Sequence, residues 1–315
     1  MEGWIHRRDL IDPQALKALS RRSNGLGALQ LASQLVAIAA LAWGIERLWG
    51  SWWGVPVFLM QGALLWGFGY AGQHELIHRT VFRARWANDG AAYLAGFLRF
   101  FPSDYSRAWH FVHHRHTKDP ERDSELIGTT PLTVGRYVQF VLGLDYLWWR
   151  WSILLRVASG RRTEPYFSDV EFRPLVTEAR IHLALYALIA VLSIAFGTWI
   201  AVTCWIAPLV AATPFYRFYI VAEHYGRPQV PDIILNSRTT RAGWFLRWLM
   251  WNMPYHTEHH LFPGVPFHKL GALARALRAG GNPAMTANAV APNHLAVNRD
   301  LLRGLMRGDP LAQLR

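Results

Sequence analysis

The strongest constraint on the fold of this 315-residue chain is a set of four long stretches without charged side chains. The first lies between Arg22 and Glu46, and the second begins after Gly50. The third and fourth share the uncharged run between Arg180 and Arg217, which is too long for one crossing of a roughly 30 Å hydrocarbon core and suits a hairpin of two. The sequence therefore predicts an all-α membrane protein with four transmembrane helices, at approximately residues 26–45, 51–72, 181–198 and 199–218.

The overall composition agrees with a membrane protein. Apolar residues make up 52% of the chain and charged residues 17%, whereas soluble domains carry roughly 25% charged residues. Membrane proteins place tryptophan at the membrane–water interfaces, and this chain contains 16 tryptophans. We predict a single domain over residues 1–315, because there is no internal repeat, low-complexity tract or long Gly/Ser linker.

Basic residues predict the orientation of the spans. Five of them precede the first span, whereas the loop after it offers only Arg47 and the loop between the third and fourth spans offers none. Since membrane proteins retain basic residues on the cytoplasmic side, both termini are predicted to be cytoplasmic, together with a helical cap made of residues 73–180 and 219–315. No cleavable signal peptide is predicted, because the first apolar segment is too long. Abundant arginine, alanine and tryptophan with little lysine favour a bacterial inner membrane.

Composition also excludes several partners and sites. Lysine and arginine outnumber aspartate and glutamate by 33 to 21, but the arginines are scattered and no groove-reading motif is present, so nucleic acid is not expected as a partner. The one cysteine, Cys204, excludes a disulfide framework, an Fe–S cluster and a multi-cysteine zinc site. Imidazole is left as the main metal-binding group.

Three shorter features are predicted from local signals. Residues 13–22 are expected to form a surface helix with Asp12 as its N-cap and Pro13 at its first position. Residues 91–101 are too short to span a membrane and are expected to form a re-entrant or packed helix. The turn between the third and fourth spans is expected near Gly197.

Nine of the 14 histidines form a pattern. Two are spaced four apart in HELIH, three form HFVHH, three form HTEHH, and one stands alone in AEHYG. They are His74 and His78; His110, His113 and His114; His256, His259 and His260; and His224. Because residues i, i+3 and i+4 share one helix face, each cluster can direct two or three imidazoles at one point. Nine imidazoles are too many for one metal ion and suit two, and neutral imidazole binds iron, copper or zinc.

The other five histidines are not expected to bind metal directly. His6, His182 and His294 are interpreted as ordinary surface or core residues. His116 lies two residues past its cluster and is expected to be an outer partner, while the role of His268 is left open.

At these motifs the chain resembles the membrane fatty-acid desaturase and hydroxylase superfamily, whose three histidine boxes bind a di-iron centre. HELIH is similar to the first box, HFVHH to the second and HTEHH to the third, and the HHLFPGVPFHKL segment is similar to the desaturase version. The resemblance covers about residues 50–275. It implies four membrane helices beneath a cytosolic cap, with two iron ions bound just outside the bilayer by the eight box histidines and by His224.

Two departures from the family pattern bear on the reaction. The EHYG segment is closer to alkane hydroxylases than to most acyl desaturases. Ile220 occupies the position, four before His224, where acyl-CoA desaturases supply an asparagine that holds an iron-bound water. Either His224 completes the site alone or another group does, and Asn252 is one candidate.

Ligand histidines usually need a partner at their second ring nitrogen. The candidates beside the boxes are Glu75, Asp119, Asp123, Glu223, Asn252 and Glu258. Trp109, Trp251 and Tyr255 also flank the boxes, where they either wall an acyl channel or pack in the interior. In the polar loop 227–243, Arg238 or Arg241 is a candidate for contact with the phosphate or carboxylate of a head group.

Two other kinds of histidine-bound cofactor, a protease zinc ion and a haem, also fit part of the histidine pattern. HELIH also fits HExxH, the zinc protease signature in which Glu75 would act as general base. That interpretation leaves HFVHH and HTEHH unexplained. A bis-histidine haem protein is disfavoured because haem ligands do not occur in triplets.

The resemblance therefore implies an O2-dependent di-iron oxidase that introduces a double bond into a lipid acyl chain. A lipid or alkane hydroxylase, or a carotenoid-type oxygenase, is the alternative on the same site. The chain has no fused cytochrome b5 signature, no cysteine-ligated iron and no glycine-rich dinucleotide loop. An external electron donor is implied: a ferredoxin, a rubredoxin or a cytochrome with its reductase.

Overall fold

The computed structural model describes residues 7–126, 133–143 and 145–309, which are almost entirely helical and include one pair of short strands. The first helix, α1 (Pro13–Leu19), begins where the sequence predicts. Asp12 is its N-cap, because the carboxylate accepts a hydrogen bond from the amide of Ala15.

The first long hairpin carries one of the histidine motifs. Its first arm, α2 (Asn24–Leu48), is capped by the side chain of Ser23. Its second arm is continuous: α3 (Gly54–Trp66) passes through a π-helical turn, Gly67–Gly72, into α4 (Gln73–Ile77). Both arms are long and apolar enough to cross a membrane, and they cover the first two predicted spans.

The second long hairpin differs from the prediction in its bounds. Its first arm, α9 (Asp169–Ala195), starts well before residue 181 because Ser168 and Glu171 form a capping box there. This arm is also long and apolar enough to cross a membrane. The chain turns where predicted, at Gly197, whose φ of 60° favours glycine.

The return arm is bent rather than straight. A π-helical turn, Val202–Ile206, leads into α10 (Ala207–Ala211), and α11 (Thr213–His224) follows at an angle of 43°. Pro214 explains the bend, since it has no amide hydrogen and its ring displaces the carbonyl four residues earlier. The described residues thus contain three candidate spans, or four if the bent pair counts as one.

The remaining elements surround the ends of these hairpins that carry His74 and His224. They are α5 (Arg85–Leu98), α6 (Ser103–His116), α7 (Val134–Leu142), α8 (Tyr146–Ala158), α12 (Ile233–Asn236), β1 (Arg238–Thr240), α13 (Trp244–Leu249), α14 (His256–Leu261), α15 (Leu270–Ala279), β2 (Ala289–Ala291) and α16 (His294–Arg307). Strands β1 and β2 pair in parallel. Helix α5 covers most of the short apolar run 91–101 and is a packed helix: Ala92 and Ala95 are buried, while Trp86 is 80% exposed.

Backbone approaches at glycine hold α3 in place. A Cβ atom on Gly62 would lie 2.0 Å from the carbonyl oxygen of Pro208 in α10. One on Gly67 would lie 2.4 Å from the carbonyl oxygen of Leu249 in α13. Only glycine permits such contacts, and they position α4 and its histidines against the rest of the cap.

Candidate metal centre

Five of the nine motif histidines form one buried group, which we call group one: His74, His78, His110, His114 and His259. Nε2 of His74 lies 2.7 Å from Nε2 of His259 and 3.1 Å from Nε2 of His110. Nε2 of His259 lies 3.2 Å from Nε2 of His114. The ring of His78 is 4.8 Å from that of His259, centroid to centroid, and its buried Nε2 has no hydrogen-bond partner.

The other four form group two: His113, His224, His256 and His260. Nε2 of His224 lies 2.8 Å from Nε2 of His256 and 3.3 Å from Nε2 of His260. The ring centroid of His113 is 5.0 Å from that of His224 and 5.0 Å from that of His260. All nine histidines of the sequence pattern therefore lie in one of two groups.

Neighbouring residues are divided between the groups. His113 and His114 follow each other on α6, and His259 and His260 follow each other on α14, yet each pair has one member in each group. Successive side chains on a helix diverge by about 100°. Each of these two helices therefore lies between the groups and contributes to both.

The arrangement fits a metal ion in each group. Nitrogens bound at right angles to one ion at about 2.1 Å lie about 3.0 Å apart, and the Nε2 separations given above run from 2.7 to 3.3 Å. A neutral imidazole has one N–H and one lone pair. Where Nδ1 faces a carbonyl or carboxylate, the lone pair is on Nε2, and several such lone pairs converge here. Convergent lone pairs repel one another unless they share a cation.

Burial keeps most of these imidazoles uncharged. Removal from water lowers the pKa of His78, His110, His114, His256 and His260 well below the usual range, and neighbouring charges lower it further. The neutral form is the one that binds metal.

His113 is the exception, and Asp123 is the main reason. Burial lowers its pKa, but the charges of Asp123 and Glu125 outweigh burial and raise the pKa to about 9. Nδ1 of His113 lies 2.8 Å from a carboxylate oxygen of Asp123, which is itself 1% exposed. Asp123 also accepts a hydrogen bond from the amide of Lys118, which fixes the carboxylate.

Two more residues contact the outward ring nitrogens. Nδ1 of His110 lies 3.1 Å from a carboxylate oxygen of Glu125, and Nδ1 of His224 lies 3.1 Å from the carbonyl oxygen of Asn236. Sequence reasoning missed both. The DSE triplet holds the only signal for Glu125, two residues after Asp123; a backbone carbonyl leaves no signal in a sequence.

Two predicted carboxylates lie near histidines at longer distances. One oxygen of Glu75 is 3.4 Å from Nδ1 of His259, and one oxygen of Glu223 is 3.7 Å from Nδ1 of His256. The hydroxyl of Tyr70 donates to Glu223 over 2.5 Å. Glu75 is 0% exposed and accepts hydrogen bonds from Thr80 and the amide of residue 267. A fully buried carboxylate is poorly placed to activate a water molecule as the general base of a zinc protease.

The other three predicted partners face elsewhere. Asp119 pairs with Arg122, and Glu258 accepts a hydrogen bond from Thr239 over 2.8 Å. Asn252 has a left-handed backbone, with φ of 57°, and its amide donates to the carbonyl oxygen of Arg247.

The remaining histidines also lie outside both groups wherever the structure describes them. His116 is half-buried, and both ring nitrogens of His268 are buried without a hydrogen-bond partner. His182 lies 3.7 Å from Glu178, and His294 stacks on Tyr219. His6 lies outside the described residues.

A cavity of about 390 Å³ reaches group two. His113 and His224 form part of its wall, together with Trp109, Trp149 and Ile220. Of the other flanking aromatics, Trp251 is fully buried, with its indole N–H donating to Gln34, and Tyr255 contacts Arg247. These two belong to the packing rather than to this cavity.

The two predicted head-group arginines lie away from this cavity. Arg238 is directed inward, donating hydrogen bonds to the carbonyl oxygens of Ala222 and Tyr225. Arg241 is exposed and lines a separate surface depression with Arg247.

Comparison with known proteins gives a consistent result. The family model described as Fatty acid desaturase matches residues 48–287. The sn-1 oleoyl-lipid 12-desaturase of Picosynechococcus sp. is 25% identical over 290 residues, covering 84% of this chain and 77% of that protein. The acyl-lipid 8-desaturase of Rebecca salina is 26% identical over 260 residues, covering 69% of this chain and only 56% of that protein. The sn-1 oleoyl-lipid 12-desaturase of Synechocystis sp. is 23% identical over 278 residues, covering 80% and 76%.

Proposed function

The chain belongs to the fatty acid desaturase family and is an oxidoreductase, and on that premise we propose that it uses O2 and two iron ions to introduce a double bond into a lipid acyl chain. The observation that carries the proposal is the meeting of nine histidines in two buried groups. The relatives named as lipid desaturases support the substrate class and the reaction.

We assign one iron to each group. Group one offers five nitrogens and group two offers four, and imidazole is a suitable iron ligand. The irons supply the oxidising power that removal of hydrogen from an unactivated methylene requires and that no side chain has. Asp123, Glu125 and the carbonyl of Asn236 orient three of the ligands by accepting from Nδ1, which leaves Nε2 for the metal.

Burial is the second contribution of the chain. His259 and His260 are 0% exposed, and aromatic and aliphatic side chains such as Trp109, Trp149 and Ile220 form part of the wall of the cavity beside group two. A substrate carbon in this cavity displaces water from the oxidising site, which protects the reaction from side products.

Hydroxylation is the second candidate, and Ile220 is the observation that favours it. Ile220 lines the cavity between the hairpin and group two, and it carries no group that could hold a metal-bound water. The EHYG segment around His224 is also similar to that of alkane hydroxylases.

Product analysis separates the two reactions. Purified protein would be incubated with a reductant, O2 and a lipid extract, and the products would be read by mass spectrometry. Loss of two hydrogen atoms is expected for a desaturase. A product with one added oxygen atom and its hydrogens retained would replace desaturation by hydroxylation.

Metal analysis tests the site itself. We expect about two irons per chain in the purified protein, and His256→Ala should lose iron and activity while still inserting into membranes. His116→Ala, which removes a histidine outside both groups, is the control and should retain both. A content of about one zinc with no iron would reopen the protease interpretation.

The setting of the enzyme is part of the proposal. The candidate spans support an integral membrane protein; we propose that both termini and the site face the cytoplasm of a bacterial cell. Since the chain has a single cysteine and no dinucleotide loop, electrons would come from a separate ferredoxin, rubredoxin or cytochrome. The acidic surface common in such carriers would suit an arginine-rich face.

A further inference from the structure

Three arginines line the cavity that reaches group two: Arg99, Arg150 and Arg217. Their exposed fractions are 4%, 2% and 5%. Among the residues that the structure describes, none of the three has a carboxylate oxygen within 4.0 Å. Buried guanidinium groups are normally paired with an anion, because removal of an unpaired charge from water is costly.

The hydrogen-bonding capacity of two of them is largely unmet. Nε and Nη1 of Arg99, and the same two atoms of Arg150, are buried without a partner within the described part of the chain. Nη2 of Arg99 donates to the hydroxyl of Ser106 over 3.3 Å, and Nη2 of Arg150 donates to the hydroxyl of Tyr146. Each guanidinium thus has two nitrogens, Nε and Nη1, that no described acceptor uses.

Aromatic faces hold these charges in place without neutralising them. Cζ of Arg150 lies 4.5 Å from the ring centroid of Phe101, and Cζ of Arg99 lies 5.0 Å from the same centroid. Cζ of Arg217 lies 3.4 Å from the centroid of Phe140. Burial and the nearby charge of Arg150 lower the pKa of Arg99 to about 10, so it remains protonated at neutral pH. The guanidinium groups are pre-oriented, as an anion site requires.

Acidic side chains line the same cavity beside the histidines of group two: Asp123, Glu125 and Glu223. Tyr70 lies between these carboxylates and the arginines: its hydroxyl donates to Glu223, and its ring centroid lies 5.9 Å from Cζ of Arg99. Lys118 and Asp145 also line the cavity, so both signs of charge occur along its wall. An anion is favoured at the arginine end, where three guanidinium groups line the cavity.

We propose that Arg99, Arg150 and Arg217 bind the anionic end of the substrate, a carboxylate or a phosphate. Both groups match the planar fork of arginine. With the anion there, the following carbons pass Tyr70 toward His113 and His224, so the bond that is oxidised lies close to the charged end. The identification of the anion as part of the substrate rests on the proposed function. The anion site itself rests only on the cavity and its arginines.

Direct binding tests the site without turnover. The purified full chain in a nonionic detergent would be titrated by calorimetry with laurate, dodecyl phosphate and the neutral ester methyl laurate. We expect one of the two anions to bind about tenfold or more tighter than the ester. Preference for laurate identifies a carboxylate site, and preference for dodecyl phosphate identifies a phosphate site. Equal affinity for both anions and the ester would overturn the proposal, and this comparison needs no variant.

Variants locate the site. Arg99→Gln and Arg150→Gln should each lose about tenfold or more of the affinity for the preferred anion and leave methyl laurate binding unchanged. Arg150→Lys keeps the charge but not the fork and should lose less. Arg47→Gln, which removes an arginine from the last turn of α2, should bind as the unaltered chain. Unchanged anion binding in both glutamine variants would overturn the assignment.

The outcome is separable from that of the proposed function. Anion-selective binding without any oxidised product would retain the site and remove the desaturase proposal. Conversely, double bonds formed in lipids without anion-selective binding would retain the desaturase proposal and remove the site.

Discussion

Asp123 is the clearest example of a single residue on which a proposed metal ligand, His113, depends. It lies 2.8 Å from His113 and is fixed in turn by the amide of Lys118. Outer partners of this kind typically contribute about 10–100-fold to metal affinity. Loss of the Asp123 carboxylate should therefore lower the metal affinity of group two more than that of group one.

We expect Asp123→Asn, which removes the charge but keeps the shape, to weaken iron retention by about tenfold. The measurement is iron release to a competing chelator. Asp119→Asn is the matched control, because within the described residues Asp119 bonds to Arg122 and to its neighbouring backbone rather than to a histidine of either group. Equal iron release from the two variants would show that the hydrogen bond between Asp123 and His113 does not contribute to iron retention.

At the residue scale the motifs predicted the nine histidines that the structure brings together, and they named Asp123, Glu75 and Glu223 beside them. Proximity in sequence misled for Glu258, which lies between His256 and His259 but faces Thr239. A residue between two ligands of one helix face points away from that face. Glu125 and the arginine end of the cavity depend on how distant segments meet, and no local pattern reports that.

At the scale of elements, close backbone contact decides where α4 places its histidines. Gly62 and Gly67 allow α3 to approach α10 and α13, and the π-helical turn after Gly67 shifts the phase of the helix before His74. The sequence identified the hairpins from their apolar length alone. Helix α9 begins before the predicted span, because the prediction used Arg180 as the boundary of the uncharged run and the helix also includes the charged residues that precede it.

Gly62→Ala should destabilise the first hairpin by about 1–3 kcal/mol, since the new Cβ overlaps the Pro208 carbonyl oxygen. The midpoint of thermal unfolding in detergent would measure the effect. Gly90→Ala in α5 is the control, because a Cβ there meets nothing within 4 Å. The Gly90→Ala variant should unfold at the same or a higher temperature than the unaltered chain. An equal fall in the unfolding temperature of both variants would mean that the loss of glycine, and not the overlap with Pro208, is responsible.

At the scale of the whole molecule, charge and exposure predict one orientation in the membrane. The exposed apolar side chains of α2 and α9 suit contact with lipid, and the loop after α2 lies at the end opposite to the histidines along the same hairpin. Cys204 is 5% exposed, so the chain offers little background for thiol labelling.

Ser51→Cys, in the exposed loop after α2, should react with a membrane-impermeant maleimide added to intact spheroplasts. Thr286→Cys, exposed on the cap, should react only after the membrane is permeabilised. The reverse labelling pattern would place the histidines outside the cytoplasm. Labelling of both cysteine variants in intact spheroplasts would contradict a topology in which the two residues lie on opposite sides of the membrane.

The division of His113–His114 and His259–His260 between the groups sets the spacing of the two groups, and therefore of the two metal positions that we propose. Helices α6 and α14 each supply one histidine to each group, and the two histidines are consecutive residues. The distance between the groups is therefore set by the rigid geometry of a helix and not by a loop. A substitution can remove one ligand, but the distance between the positions changes only if a helix unwinds. Evolution of new reactions on this scaffold would therefore act on the cavity walls, while the geometry of the metal pair stays constant.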